Sequence, residues 1–67
     1  MQQFKAEYVL GYYTTQFEKN KPGQEIEAIY ISEFLRGALT LEGIGKEWHG
    51  IEIKTVLNVS DFWVDVV

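Results

Sequence analysis

No cysteine occurs among the 67 residues of this chain, so neither a disulfide nor a thiolate-bound metal can supplement its hydrophobic core. A chain of this length forms one domain, and we assign residues 1–67 to it. Folding of so short a chain buries only about 60% of the surface that the unfolded chain exposes, so its core is small. The hydrophobic fraction of 46% is ordinary for a globular protein and argues against intrinsic disorder.

The distribution of charge and hydrophobicity excludes several classes of protein. The N-terminus lacks the basic region and apolar core of a signal peptide. No apolar run approaches the roughly 20 residues of a membrane-spanning helix. The net charge is −4 and the six Lys and Arg residues are scattered, whereas nucleic-acid-binding proteins cluster their cations. We therefore expect a cytoplasmic protein that binds neither a membrane nor nucleic acid directly.

In the first half of the chain, the spacing of apolar residues predicts two strands. From Phe4 to Thr15, the even-numbered positions form an apolar face with the period of two that is typical of a strand. The Pro-Gly pair within Glu18–Gly23 predicts a turn. The segment Glu25–Ile31 is rich in β-branched residues and is predicted to be the second strand, paired with the first as a hairpin.

The second half is predicted to contain one helix and two more strands. Ser32 is the expected N-cap of an amphipathic helix of about three turns, because its hydroxyl can accept a hydrogen bond from an amide of the first turn. Gly43 would end this helix. Alternation predicts a strand over residues 50–59, a turn or bend over residues 58–61, and a final strand over residues 62–67. The expected fold is α+β, a small antiparallel sheet with one helix packed across it in the order β-β-α-β-β.

Residues that could carry catalysis have simpler structural roles. His49 is the only histidine, and we expect it in a loop, either stacked on Trp48 or solvated. Gly43–Lys46 resembles a phosphate-binding loop in composition, but it follows the predicted helix instead of preceding it. Glu25 and Glu27 could act as paired carboxylates, although a solvated strand face is the simpler interpretation. We therefore expect no catalytic residue, no metal site, no cofactor and no enzyme activity.

Ten aromatic residues, two Trp, four Tyr and four Phe, are many for one small core. Neighbouring residues of a strand point to opposite faces. At most one of Tyr12 and Tyr13 can therefore be buried, and the same holds for Phe62 and Trp63. Tyr and Trp are enriched at the energetic centres of interfaces, which favours a binding surface. Alternatively, the aromatics cover the open side of the sheet or fill a larger core. The predicted partner-binding residues combine aromatic and nearby acidic side chains: Tyr12, Tyr13, Trp48, Trp63, Glu25, Glu27 and Asp65.

The predicted C-terminal strand adds a possible interaction. Valines dominate it and Asp65 is its only charged residue, and an apolar strand at a sheet edge can pair with another strand. The chain could therefore bind a protein partner or form a homodimer through this edge. Two other functions are open. One is a homo-oligomer that binds a small ligand in a pocket between protomers, with aromatic walls around Lys46, His49 or Arg36. The other is a structural component of a larger assembly.

The segment Ala28–Ser32 leads into the predicted helix, and a strand resumes at Gly50–Ile53. Together these elements resemble the strand–helix–strand unit of a phage inhibitor of bacterial RNA polymerase. In size, acidity and predicted element order, the chain is similar to the small host-modulating proteins that bacteriophages encode. The resemblance covers residues 28–53. It implies a protein that binds and blocks a host enzyme or a defence complex, as anti-CRISPR proteins do, and it implies no particular site residue.

Overall fold

A computed structural model describes residues 5–59 and 61–67, which form two helices and a four-stranded sheet. The predicted α+β class is confirmed, but the predicted element order is only approximate, since the first predicted strand is a helix and a short additional strand is present. Phe4 and Ser60, which the predictions included, lie outside the described residues. In chain order the elements are α1 (Glu7–Asn20), β1 (Ala28–Ser32), α2 (Glu33–Leu41), β2 (Glu47–Trp48), β3 (Ile51–Val56) and β4 (Val64–Val66).

The sheet is mixed, so the prediction of an antiparallel sheet is wrong. Its strand order is β2-β3-β1-β4, in which β1 and β3 are parallel and the other neighbouring pairs are antiparallel. Parallel neighbours need a crossover connection, and α2 lies in the connection from β1 to β3. On its other side β1 pairs with β4, where Tyr30 lies opposite Asp65. Strands β2 and β4 therefore form the two edges of the sheet.

Both helices contribute to one hydrophobic core with the sheet. In β1, Ile29 and Ile31 are completely buried, and in α2 so are Leu35 and Leu39. Neither helix within the described residues is long and apolar enough to cross a membrane. The buried cluster consists of Ala6, Val9, Leu10, Ile29, Ile31, Leu35, Leu39 and Ile53.

The other face of the sheet, here called the open face, carries polar and aromatic side chains. Strand side chains alternate between the two faces, so Tyr30 of β1 lies on the face opposite the buried isoleucines. Its cross-strand neighbours there are Lys54 of β3 and Asp65 of β4. The Lys54 ammonium lies 3.8 Å from a carboxylate oxygen of Glu52 and 5.8 Å from the centre of the Tyr30 ring.

The segment predicted as the first strand is instead the beginning of α1. Tyr8 and Tyr12, which a period of two would place in the core, are 50% and 61% exposed. Thr14 can be buried because its hydroxyl donates a hydrogen bond to the Leu10 carbonyl oxygen at 2.8 Å. Burial of a helical stripe against the sheet outweighs the strand preference of these aromatic and β-branched residues. The buried positions follow helical spacing: Ala6, Val9, Leu10 and Thr14.

Helix α2 begins where the sequence predicts. The Ser32 side chain accepts a hydrogen bond from the Leu35 amide at 3.4 Å, which confirms its role as N-cap. Shortly after the helix, Gly43 adopts a φ of +82°, a conformation that glycine adopts without a steric penalty. However, Phe34 and Leu41, although apolar, are 63% and 90% exposed. The buried face of α2 is therefore narrower than its hydrophobic pattern suggests.

Strand β2, which the sequence did not predict, pairs with β3 through a two-residue turn. Trp48 lies opposite Ile51, and the two residues between them, His49 and Gly50, have φ values of +52° and +78°. Two positive φ angles at these positions are the signature of a type I′ hairpin. His49 lies in a turn and is exposed, as expected. Its ring is not stacked on that of Trp48 but meets it edge to face, with the centroids 4.3 Å apart.

The other strands are present but shorter than predicted. Strand β1 begins at Ala28, so Glu25 and Glu27 precede it and do not share a strand face. Strand β3 ends at Val56, and Asn58 in the following turn has a φ of +69°. Strand β4 occupies the middle of the predicted final strand.

Two glycines offer a test of the local backbone geometry. Gly37 lies inside α2, and a Cβ atom added there would meet nothing within 4 Å. We expect Gly37→Ala to raise the free energy of unfolding by about 1 kcal/mol, because alanine has the higher helix propensity. Gly50→Ala should lower it by about 1 kcal/mol, because the φ of +78° disfavours a Cβ atom. Urea denaturation measures both variants, and a loss of stability in Gly37→Ala would contradict the open setting of Gly37.

Candidate interaction surface at the edge strand

A groove runs between helix α1 and strand β4, with a volume of about 270 Å³. Val64 and Val66 lie opposite Ile31 and Ile29, so they project to the helix side of the sheet. Both valines also pack partly against the buried core. We call this depression the edge groove, and its lining residues are Tyr13, Gln16, Phe17, Asn20, Lys21, Val64, Asp65 and Val66.

Beside the edge groove, the main chain of β4 offers free hydrogen-bonding groups. Ala28 and Val67 exchange two backbone hydrogen bonds, of 3.0 and 3.2 Å, and the Trp63 carbonyl accepts another from the end of β1 at 3.1 Å. In an antiparallel ladder, the residues between such pairs direct their N–H and C=O groups to the opposite side. The N–H and C=O groups of Val64 and Val66 therefore point away from β1. Among the described residues, β1 is the only strand beside β4, and no turn, loop or cap hydrogen bond of the backbone reaches these groups. Such an edge can template a further strand.

Four of the seven predicted partner-binding residues border this region. Tyr13 and Asp65 line the edge groove. Glu25 and Glu27 line a second depression of about 500 Å³, which shares Phe17 and Lys21 with the edge groove and extends it towards the segment before β1. Both depressions are shallow and open to solvent. They form one continuous surface along β4, better suited to a chain segment than to an enclosed small molecule.

Tyr12 and Trp63 are next to this surface. The rings of Tyr12 and Tyr13 meet edge to face, with their centroids 5.3 Å apart. Trp63 directly precedes β4 and is 37% exposed. Both tyrosines are exposed, whereas strand geometry predicted only that they could not both be buried. That argument was wrong, because they are neighbours on a helix.

Trp48 does not belong to this surface, because it lies in β2 at the opposite edge of the sheet. Its indole N–H donates a hydrogen bond to the Glu7 carboxylate at 2.9 Å. The Trp48 ring is partly buried against the core. These contacts connect the start of α1 to the sheet, so the structure gives Trp48 a structural role.

The Glu42 carboxylate fixes the start of α1. Its two oxygens accept hydrogen bonds from the backbone amides of Ala6, at 2.5 Å, and Glu7, at 3.0 Å. The first amides of a helix have no partner within the helix, and a negative charge there complements the helix dipole. Because α1 is anchored at this end, its later turns are held beside β4, where they form one wall of the edge groove.

Arg36, Lys46 and His49 do not surround a common cavity. The Arg36 guanidinium donates hydrogen bonds to the carbonyl oxygens of Gly45, at 2.8 Å, and Ile44, and so holds the loop that follows α2. A shallow depression at this loop is lined by Arg36 and Lys46, whereas His49 lies in the β2–β3 turn. The three residues therefore share no depression within one chain, whereas the pocket that the sequence suggested is one between protomers of an oligomer.

A second apolar surface lies at the end of the sheet where β1 and β3 end. Phe34 follows β1, Leu57 follows β3, and Phe62 and Trp63 precede the antiparallel β4; all four are exposed. The sequence did not identify Phe34 and Leu57 as surface residues, because their spacing from other apolar residues suggests that they lie on buried faces. The edge groove is the stronger candidate, since the free backbone groups beside it define a direction and a register for a partner.

Among the described residues, no three His, Asp or Glu side chains lie close enough to hold a metal ion. Comparison of the chain with protein-family models, with curated proteins and with solved structures found no match. The edge groove is therefore interpreted from its own geometry.

Proposed function

We propose that this chain is a non-enzymatic protein-interaction domain that binds an extended segment of a partner protein along β4. The observation that carries the proposal is the outward direction of the N–H and C=O groups of Val64 and Val66 beside the edge groove. In strand addition, a partner segment pairs with such an edge through main-chain hydrogen bonds, and its alternate side chains enter neighbouring pockets. Tyr13 and Phe17 supply the wall of such a pocket.

The opposite edge of the sheet is less suited to strand addition. Strand β2 is only two residues long and leads directly into the turn at His49 and Gly50. A very short edge strand is one of the ways in which proteins discourage pairing with another chain. Strand β4, with helix α1 beside it, therefore provides the better docking edge.

The resemblance to phage-encoded host-modulating proteins supports a narrower form of the proposal. In this form the chain is an inhibitor, and its partner is a host enzyme or a defence complex. A domain that occupies an extended segment of its partner can block that segment from its normal contacts. This narrower role rests on the resemblance alone, and the partner would be identified by capture from a bacterial lysate, with an edge-blocked variant as the control.

Val66→Pro is the variant that blocks the edge. Proline has no backbone N–H, and within a sheet it is tolerated where that N–H faces solvent. The Val66 N–H points away from β1, so the substitution removes the outward donor and leaves the hydrogen bonds between β1 and β4 in place. Val66→Ala is the matched control, because it shortens the same side chain and keeps the N–H.

The test begins with the selection of short peptides from a random displayed library on the parent chain. Fluorescence polarisation then gives their dissociation constants for the parent, Val66→Pro and Val66→Ala, after circular dichroism has shown that both variants are folded. We expect Val66→Pro to weaken binding about tenfold or more, since a peptide carbonyl loses its donor, and Val66→Ala to weaken it by about threefold or less. Equal binding to Val66→Pro and the parent, or selection of no peptide, would overturn the proposal.

A further inference from the structure

We infer that the segment bound at β4 alternates apolar and basic residues. Its apolar side chains would lie in the edge groove against α1, and its lysine or arginine side chains would lie on the open face of the sheet. This inference rests on the proposed function and specifies the chemistry of the partner.

The requirement for basic residues comes from the open face. Asp65 is exposed and projects from this face, where its neighbour on the inner side is Tyr30. A strand added to β4 would place one of its side chains beside Asp65, with the Cβ atoms roughly 5 Å apart. On this face Lys54 lies beyond Tyr30 and already contacts Glu52 at 3.8 Å. Since opposite charges stabilise cross-strand neighbours and like charges destabilise them, the position beside Asp65 favours lysine or arginine.

The continuation of the edge groove has the same charge preference. Glu25 and Glu27 line it, and both are exposed. Lys21 lines it as well, and its ammonium lies 5.1 Å from the centre of the Phe17 ring. Two carboxylates against one ammonium leave this part of the surface negative, in agreement with the net charge of −4 for the whole chain.

The requirement for apolar residues comes from the helix side. Residues of an added strand that lie next to Val64 and Val66 would project to the same side as these valines. There they would meet Tyr13 and Phe17, which lie one helical turn apart on α1 and line the edge groove. A medium-sized apolar side chain can fill this space and remove both rings from water.

A second copy of this chain fits the edge less well than a basic segment. Antiparallel pairing of two β4 strands in one continuous sheet would bring two Asp65 carboxylates onto the same open face, either directly opposite or diagonally adjacent. The glutamates before β1 would add further negative charge from each copy. Charge complementarity therefore favours a basic partner over the homodimer that the sequence suggested.

The test compares two short synthetic peptides, one of alternating valine and lysine and one of alternating valine and glutamate. Fluorescence polarisation with labelled peptides measures the affinity of each for the parent chain. We expect the lysine peptide to bind about tenfold more tightly, and this preference to fall as NaCl is raised from about 50 mM to about 500 mM. Equal affinity for the two peptides would overturn the inference.

Two charge variants separate a local effect from one of net charge. Asp65→Lys should weaken binding of the lysine peptide about tenfold, whereas Glu47→Lys, which changes the net charge equally but lies in β2, should weaken it by less than about twofold. Equal losses in both folded variants would contradict the local role of Asp65.

The edge-blocked variant distinguishes failure of this inference from failure of the proposed function. If Val66→Pro weakens both peptides equally and the parent does not discriminate between them, the edge binds segments but the basic preference is wrong. If Val66→Pro binds both peptides as the parent does, strand addition itself is wrong. A parent dimer in light scattering that becomes a monomer in Val66→Pro would assign the edge to a second copy and overturn the inference.

Discussion

Replacing Leu39 with alanine is expected to lower the free energy of unfolding by about 3 kcal/mol. Leu39 is completely buried in the single core cluster, and its truncation removes apolar contacts and leaves a cavity that the surrounding elements fill only in part. A core of this size supplies only roughly 3–5 kcal/mol of net stability. Leu39→Ala should therefore be substantially unfolded near room temperature, as urea denaturation followed by circular dichroism would measure.

The same helix provides a matched control for this experiment. Leu41 lies two positions further along α2 and is almost fully exposed. Its replacement by alanine should change the free energy of unfolding by less than about 0.5 kcal/mol. Equal losses for Leu39→Ala and Leu41→Ala would contradict the orientation of α2 on the sheet.

Glu42→Ala is expected to cost about 2 kcal/mol of stability. The substitution leaves the amides of Ala6 and Glu7 without their carboxylate acceptor and removes a negative charge from the start of α1. Glu42→Gln should fall between the parent and Glu42→Ala, because it keeps one acceptor oxygen and loses the charge. Glu47→Ala is the control, since it removes an exposed carboxylate of β2 that is not the acceptor of these two amides. If all three variants have the same stability, Glu42 does not cap α1.

Features that depend on a few neighbouring residues could be predicted from the sequence. Ser32 as an N-cap, the turn at Pro22-Gly23 and the strand that begins at Ile51 each follow from local chemistry. The α+β class follows from the combination of such elements. The limits of the strands were less accurate, because the pairing of each residue with a distant strand decides where a strand ends.

Helix α1 could not be identified by periodicity alone, because its apolar residues fit two periods. Tyr8 and Tyr12 support a period of two, whereas Val9 and Leu10 together with Ala6 support a helix. Contacts with the sheet decide between them, and those contacts depend on residues far away in the sequence. The wrong assignment of α1 as a strand also affected the predicted sheet. Because this segment was expected to pair with β1 as a hairpin, the parallel pairing of β1 with β3 was not predicted.

The candidate site was predicted in part. Tyr13, Asp65, Glu25 and Glu27 were selected for their chemistry, and they lie along one surface. Phe17 was missed because its place in the edge groove follows only from the helical spacing between it and Tyr13. Trp48 was selected because of its residue type, but the structure places it at the other edge, where Glu7 accepts its indole hydrogen bond.

The edge groove is built from the first helix and the last strand that the structure describes, with the β1–α2–β3 unit between them in sequence. Paired residues of β1 and β3 lie 24 positions apart in the chain, as Ala28 and Glu52 do. The end of α1 at Asn20 and the start of β4 at Val64 lie 44 positions apart, and contacts of greater sequence separation form more slowly. A partly folded chain in which only β1, α2 and β3 had assembled would have no groove. Binding of the proposed partner segment would therefore require complete closure of the chain, and such a segment should slow the hydrogen exchange of the β4 and α1 amides more than that of β3.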